Sequence, residues 1–192
     1  MDEKIIQNIL NRLREMRLPE MANQIVMMQE SGELSSLSTE EILDRITSEE
    51  LMSRKNNTIQ RYLKAAKLSQ PGASLNELDH DPKRKLNEAV LKQITDGDYI
   101  EKKRNILLLG ACGTGKSYLA NALATEACNR LHPALYCRMF ELIDDIDRER
   151  LESGQTIKTV RKYAKPDVIV IDDFMNASLN ERESLDLFKI LE

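Results

Sequence analysis

GACGTGKS, residues 110–117, lies between NILLL and YLANALATEA. Three glycines fall within six positions and the stretch closes on a lysine and a serine. This is GxxxxGK[ST], and few folds can use it. Glycines let the backbone curl so that successive N–H groups point inward, making an anion-sized concavity. A helix that begins at the last glycine adds unpaired amides and the positive end of its dipole. An apolar strand before and a helix after is the context that separates this loop from a chance match. The chain around it should therefore be α/β, with parallel strands and crossover helices.

The sequence after Arg104 follows that alternation. Ile106–Leu109 is wholly apolar, as a buried parallel strand would be. A helix is expected from Ser117 to about Arg130, a strand over Ala134–Arg138, and helices over Phe140–Leu151 and Thr156–Lys165, the latter ended by Pro166. A third strand is expected over Val168–Ile171 and a last helix over Leu179–Leu191.

The loop residues divide the chemistry. Gly110, Ala111, Cys112, Gly113, Thr114, Gly115, Lys116, Ser117 and Tyr118 form the candidate binding segment for a polyphosphate. Lys116 supplies a mobile cation for the β- and γ-phosphates, and Ser117 a hydroxyl for Mg²⁺. Cys112 and Thr114 are spacers. VIVIDD, residues 168–173, ends an apolar run in two carboxylates about fifty residues downstream. Asp172 would hold Mg²⁺ together with Ser117, and Asp173 would orient or deprotonate an attacking water. Lys116, Asp172 and Asp173 are the candidate catalytic residues, and ATP with Mg²⁺ the expected cofactors.

The first seventy residues are helical in pattern. Ile5, Ile6, Ile9, Leu10, Leu13 and Met16 have the spacing of one helix face. Leu18-Pro19 interrupts it, and Met21, Ile25 and Met28 continue in a second helix ended by Ser31-Gly32. Ser38 with Glu41, and Thr47 with Glu50, have capping-box spacing, predicting helices over Thr39–Ile46 and Ser48 to about Leu68. SQPGAS, residues 69–74, is the strongest linker signal. The expected organisation is a helical domain over 1–70, a linker with a lead-in helix over 71–103, and a phosphate-loop domain over 104–192.

A net charge of −4 conceals one basic window. No acid stands between Leu51 and Asn76, where Arg54, Lys55, Arg61, Lys64 and Lys67 occur. Three of these recur at intervals of three and share one side of a helix. Surface helices normally mix signs, so a duplex DNA backbone is a candidate partner alongside a plain solvated face. Lys83, Arg84 and Lys85 form a second, shorter cluster. Cys112, Cys128 and Cys137 make no CxxC pair, so reduced thiols are expected. His80 and His132 are too few for a histidine triad and are expected in surface loops. No apolar run reaches the roughly 20 residues of a membrane span, and the charged start is unlike a secretory signal. A cytoplasmic location is expected.

The sequence resembles the IstB-like transposition helper ATPases, relatives of the DnaC helicase loaders within the AAA+ group. The resemblance covers nearly the whole chain. It is carried by LNRLREMRLPEMANQI, RYLKAAKLSQPGASLNELD, GDYIEKKRNILLLGACGTGKSYLANALATEAC and VIVIDDFM. It implies an AAA+ parallel sheet behind a helical N-terminal domain, with Gly110–Ser117 as Walker A and Asp172-Asp173 as Walker B. It implies partners as well: DNA bound without base reading, a transposase or a replicative helicase, and further copies of the chain. The family's usual glycine after the acid–acid–aromatic triplet is Met175 here. Family chains continue past this point with a sensor strand, an arginine finger and a final strand. The expectation is therefore an incomplete sheet, in which Ile106–Leu109 lacks neighbours, and slow ATP hydrolysis. Three classes remain open: a DNA-associated ATPase serving transposition or helicase loading, a small-molecule phosphotransferase, and a non-catalytic binding remnant.

Overall fold

The computed structural model describes residues 3–79, 87–176 and 178–191. Its contacts divide the chain into two units, meeting at Thr58 and Ile59.

The first unit is helical. α1 spans Glu3–Glu15 and α2 Pro19–Glu30, while α3, Thr39–Ala65, runs on into the second unit. Ile6, Leu10 and Leu13 of α1 pack with Ala22, Ile25 and Met28 of α2 and with Ile46 of α3. The apolar stripe of α1 is narrower than its spacing implied, for Ile5, Ile9 and Met16 remain exposed. Pro19 opens α2 at its first position, where a missing N–H costs nothing. Leu18 has no side chain to cap the helix, and Glu50 does it instead. Its Oε2 accepts from the amides of Glu20 at 3.0 Å and Met21 at 3.4 Å.

The two helices expected over 39–68 are one. Ser38 and Glu41 do form the reciprocal capping box, at 2.8 and 3.2 Å. Thr47 does not start a second helix. Its Oγ1 donates back to the Leu43 carbonyl at 2.7 Å, the bond that lets a threonine sit inside a helix.

The second unit carries the sheet. After α4 (Glu88–Thr95) and the short α5 (Asp98–Glu101) come α6 (Lys116–Asn129), β1 (Ala134–Arg138), α7 (Met139–Ser153), α8 (Ile157–Ala164), β2 (Val168–Asp172) and α9 (Glu181–Leu191). β1 and β2 are parallel and pair from Ala134↔Val168 to Arg138↔Asp172. One face holds Leu135, Cys137, Leu142, Ile146, Tyr163 and Ile190, burying α7, α8 and α9 against the strands. The other packs Ala124 and Cys128 of α6 with Ala134 and with Ala66. Small residues in LANALATEA bring α6 close to the sheet. The outer edge of β1 is covered too, since the Tyr136 N–H donates to the Ala66 carbonyl at 2.7 Å. Asp186 of α9 is buried at 4% exposure, with Arg150, Lys189 (2.9 Å) and Thr156 (3.4 Å) as its partners. A buried carboxylate is tolerable because these groups replace its lost water.

Ile106–Leu109 is not a strand. Residues 104–110 join no sheet ladder, and among the described residues the sheet has two strands. Leu107 is 68% and Leu109 83% exposed, the reverse of a buried strand. An isolated apolar run gains nothing from extended geometry without a neighbouring strand to take its N–H and C=O groups. The outcome is a helix-rich α/β protein of P-loop type, with a small parallel sheet behind a helical N-terminal region.

Candidate functional site

The loop has the backbone its glycines predict. Gly113 and Gly115 adopt φ of 78° and 85°, in the left-handed region that side chains rarely enter. Gly115 is the N-cap of α6, so the helix begins at Lys116 and its free amides face the loop. Gly110 is closely flanked, though its φ is not positive. A Cβ there would meet Thr114 Oγ1 at 3.0 Å. The Ala111 carbonyl gathers the loop, accepting from Thr114 Oγ1 at 2.9 Å and from Lys116 Nζ at 2.7 Å. The lysine cation thus rests on its own loop. An arriving phosphate replaces one neutral carbonyl with charged oxygens, a stronger partner. Cys112 is an exposed free thiol. Tyr118 turns to the segment after α3, where its hydroxyl accepts from the Ser74 N–H at 3.2 Å and lies 3.4 Å from Glu77 Oε2.

Asp172 ends β2 beside the start of α6. Its Oδ2 accepts from the Tyr136 hydroxyl at 2.8 Å, and its Oδ1 from the Asp173 N–H at 3.0 Å. The Ser117 side chain is close enough to the same carboxylate to bear on its charge. Burial alone would raise its pKa. Ser117, the bonds from Tyr136 and the Asp173 amide, and the charge of Arg138 together outweigh burial and hold it below the usual carboxylate value. A hydroxyl and an ionised carboxylate side by side are hard oxygen donors that fit Mg²⁺, which would there neutralise phosphate charge. Ser117 and Asp172 would hold it.

Asp173 is exposed and opens a tight bend. It and Met175 have φ of 54° and 60°. Asn176 closes the bend, donating from its N–H to the Asp173 carbonyl and from Nδ2 to Oδ1, both at 3.3 Å. A left-handed Met costs roughly 1–2 kcal/mol that a glycine does not incur. Glycine's greater unfolded-state freedom takes back part of that gain. Met175→Gly is therefore expected to raise stability by a few tenths to about 1 kcal/mol, read from the denaturant midpoint. A lower midpoint would contradict the strain.

Residues 11–192 match the family described as IstB-like ATP binding protein. The chain belongs to this family. Among its relatives, a Pseudomonas fluorescens protein named for ATP binding in insertion sequence IS1162 is 33% identical over 97% of this chain and 80% of its own length. A Geobacillus stearothermophilus protein named likewise for IS5376 is 27% identical over 92% of this chain and 69% of its own length. A Bacteroides fragilis protein named for an IS21-like insertion sequence is 25% identical over 96% and 70%.

The basic residues of this IstB-like chain differ in what they hold. Arg54 is engaged, with Nε on Glu50 at 2.7 Å and a terminal nitrogen on the Arg17 carbonyl at 2.8 Å. Lys55 is exposed. In the second unit Arg61 lies over the Tyr62 ring at 5.5 Å, Lys64 sits in the last turn of α3, and Lys67 follows it with φ of 53°. All three are exposed. Lys83, Arg84, Lys85 and His80 lie outside the described residues. His132 is half-buried, its Nδ1 2.8 Å from Asp167. Burial pushes the Cys137 thiol up to about 12, consistent with an inert core residue. Among the described residues no helix is long and apolar enough to cross a membrane.

Sequence reasoning missed Tyr136, Asn121 and Ser69. Asn121 is fully buried; its Nδ2 donates to Ser69 Oγ at 3.0 Å and the Ser117 carbonyl at 2.7 Å, and its Oδ1 accepts from the Gln70 N–H at 3.2 Å. The one available signal was an asparagine inside the otherwise small and apolar LANALA. SQPGAS is accordingly no free linker. Its residues are bonded to α6 through Asn121 and Tyr118.

Proposed function

We propose that the chain binds MgATP on residues 110–117, with Ser117 and Asp172 on the metal, as an ATP-dependent helper of DNA transposition. The observation that carries the reading is the packing of α6, which starts directly after the glycine loop, against β2, which ends at Asp172. Lys116 would pair with the outer phosphates, and Asp173, exposed next to the metal ligand, would orient the attacking water. Family membership supports the ATP and transposition parts. Equilibrium binding of a fluorescent ATP analogue, with Mg²⁺ and with chelator, tests the site. Binding indifferent to both ATP competition and Mg²⁺ would reject it.

Contact with duplex DNA and with a transposase is the finer part of the proposal. Arg61, Lys64 and Lys67 are exposed cations of the second unit offered for phosphates; in the first unit Lys55 is exposed and Arg54 already engaged. About three phosphate contacts give a log–log salt slope near −2.7 on duplex DNA. Reversing Arg61 and Lys64 to glutamate is expected to flatten it to about −0.9 or less. An unchanged slope returns these residues to a solvated helix face.

A further inference from the structure

We infer that Tyr136 is a positioning residue that fixes Asp172 for the metal through its hydroxyl. The inference rests on the reading of Ser117 and Asp172 as the Mg²⁺ side of the nucleotide site.

Strand geometry puts the phenol there. Leu135 and Cys137 point into the core under α7 and α8, so Tyr136 between them points to the opposite face. Tyr136 pairs with Val170, and Asp172 is two residues further along β2, the diagonal neighbour on that same face. The hydroxyl reaches Oδ2 at 2.8 Å. The backbone of Tyr136 is fixed as well, by its bond to Ala66. The phenol is thus anchored at both ends.

Asn121 braces the neighbouring start of α6, donating to the Ser117 carbonyl and to Ser69 Oγ. A buried amide in an alanine-rich helix is costly unless its bonds are made, and here both ends of Asn121 are satisfied. Both oxygens of Asp172 are held, Oδ2 by the Tyr136 hydroxyl and Oδ1 by the Asp173 amide. Tyr136→Phe leaves the shape but releases Oδ2. Partners in this outer position typically alter metal affinity by about 10–100-fold.

The test is a Mg²⁺ titration of fluorescent ATP-analogue binding to the full chain. In chelator, Tyr136→Phe is expected to bind within about twofold of the parent, since no phosphate contact is lost. In Mg²⁺ its half-saturation is expected about tenfold higher. Once Asp172→Asn is in place, adding Tyr136→Phe should change the titration no further. An unmoved midpoint in Tyr136→Phe, or a second loss added to Asp172→Asn, overturns the inference. If Tyr136→Phe does not fold, Tyr136→Met, which also removes the hydroxyl, takes its place, and an unmoved midpoint there overturns the inference. A parent whose binding ignores Mg²⁺ overturns the nucleotide-site reading and this inference with it.

Discussion

Lys116→Ala is expected to weaken ATP binding by about 10–100-fold while leaving the protein folded. The side chain is half-buried, and among the described residues its ammonium makes one bond, to the Ala111 carbonyl 2.7 Å away. Losing that bond costs the empty loop little, because Thr114 still holds the same carbonyl. With nucleotide present, the ammonium would face two phosphates in a partly desolvated cradle. Hydrogen bonds to charged groups contribute about 1.5–3 kcal/mol each, which sets the range of the loss. Dissociation constants of parent and variant, with matched circular dichroism, decide it. Equal affinities in two folded proteins would remove the loop from the nucleotide site.

The second large effect falls on stability. Leu142 is fully buried between the strands and α8 and α9, in one cluster with Leu135, Ile146, Tyr163 and Ile190. Leu142→Ala removes three carbons from that cluster. The typical cost is about 2–5 kcal/mol, according to how far the surroundings collapse. Against a total of about 5–15 kcal/mol, much of the fold's margin would go. Denaturant unfolding of the full chain measures it, and a loss below about 1 kcal/mol would mean the cluster repacks around the gap. The effect should reach the nucleotide site only through folding, since no atom of Leu142 belongs to it.

Elements whose cause is local were legible in the sequence. The glycine positions set the loop, the Ser38–Glu41 pair started a helix, and the apolar run VIVID became β2. The parallel pairing followed from the alternation of strand and helix. Elements decided by a distant partner were not legible. NILLL has every local property of a buried strand and is none; its lack of a neighbour was expected from the resemblance, whereas its exposure was not. Thr47 carried a capping pattern that the helix overrode with a single bond to Leu43. Among the candidate site residues, Lys116, Ser117 and Asp172 announced themselves by motif. Tyr136 and Asn121 did not, since what matters about them is the carboxylate and the serines that folding brings near. Arg54 counted among the cations on charge alone, whereas its place depends on Glu50 and on a backbone carbonyl of Arg17.

Asn105–Gly110 leads into the phosphate loop without a ladder, so the loop is secured from one side, by α6. Its glycines and its helix start are in place, but the strand that would brace its entry is not formed. A cradle held at one end samples more shapes than one held at both. Nucleotide therefore has to select or impose the competent shape as it binds, and the apparent affinity falls by the fraction of time the empty loop spends in it. Anything that paired with residues 106–109 would raise that fraction without touching the nucleotide. Affinity for ATP in this chain would then be partly a report on the order of residues 106–109.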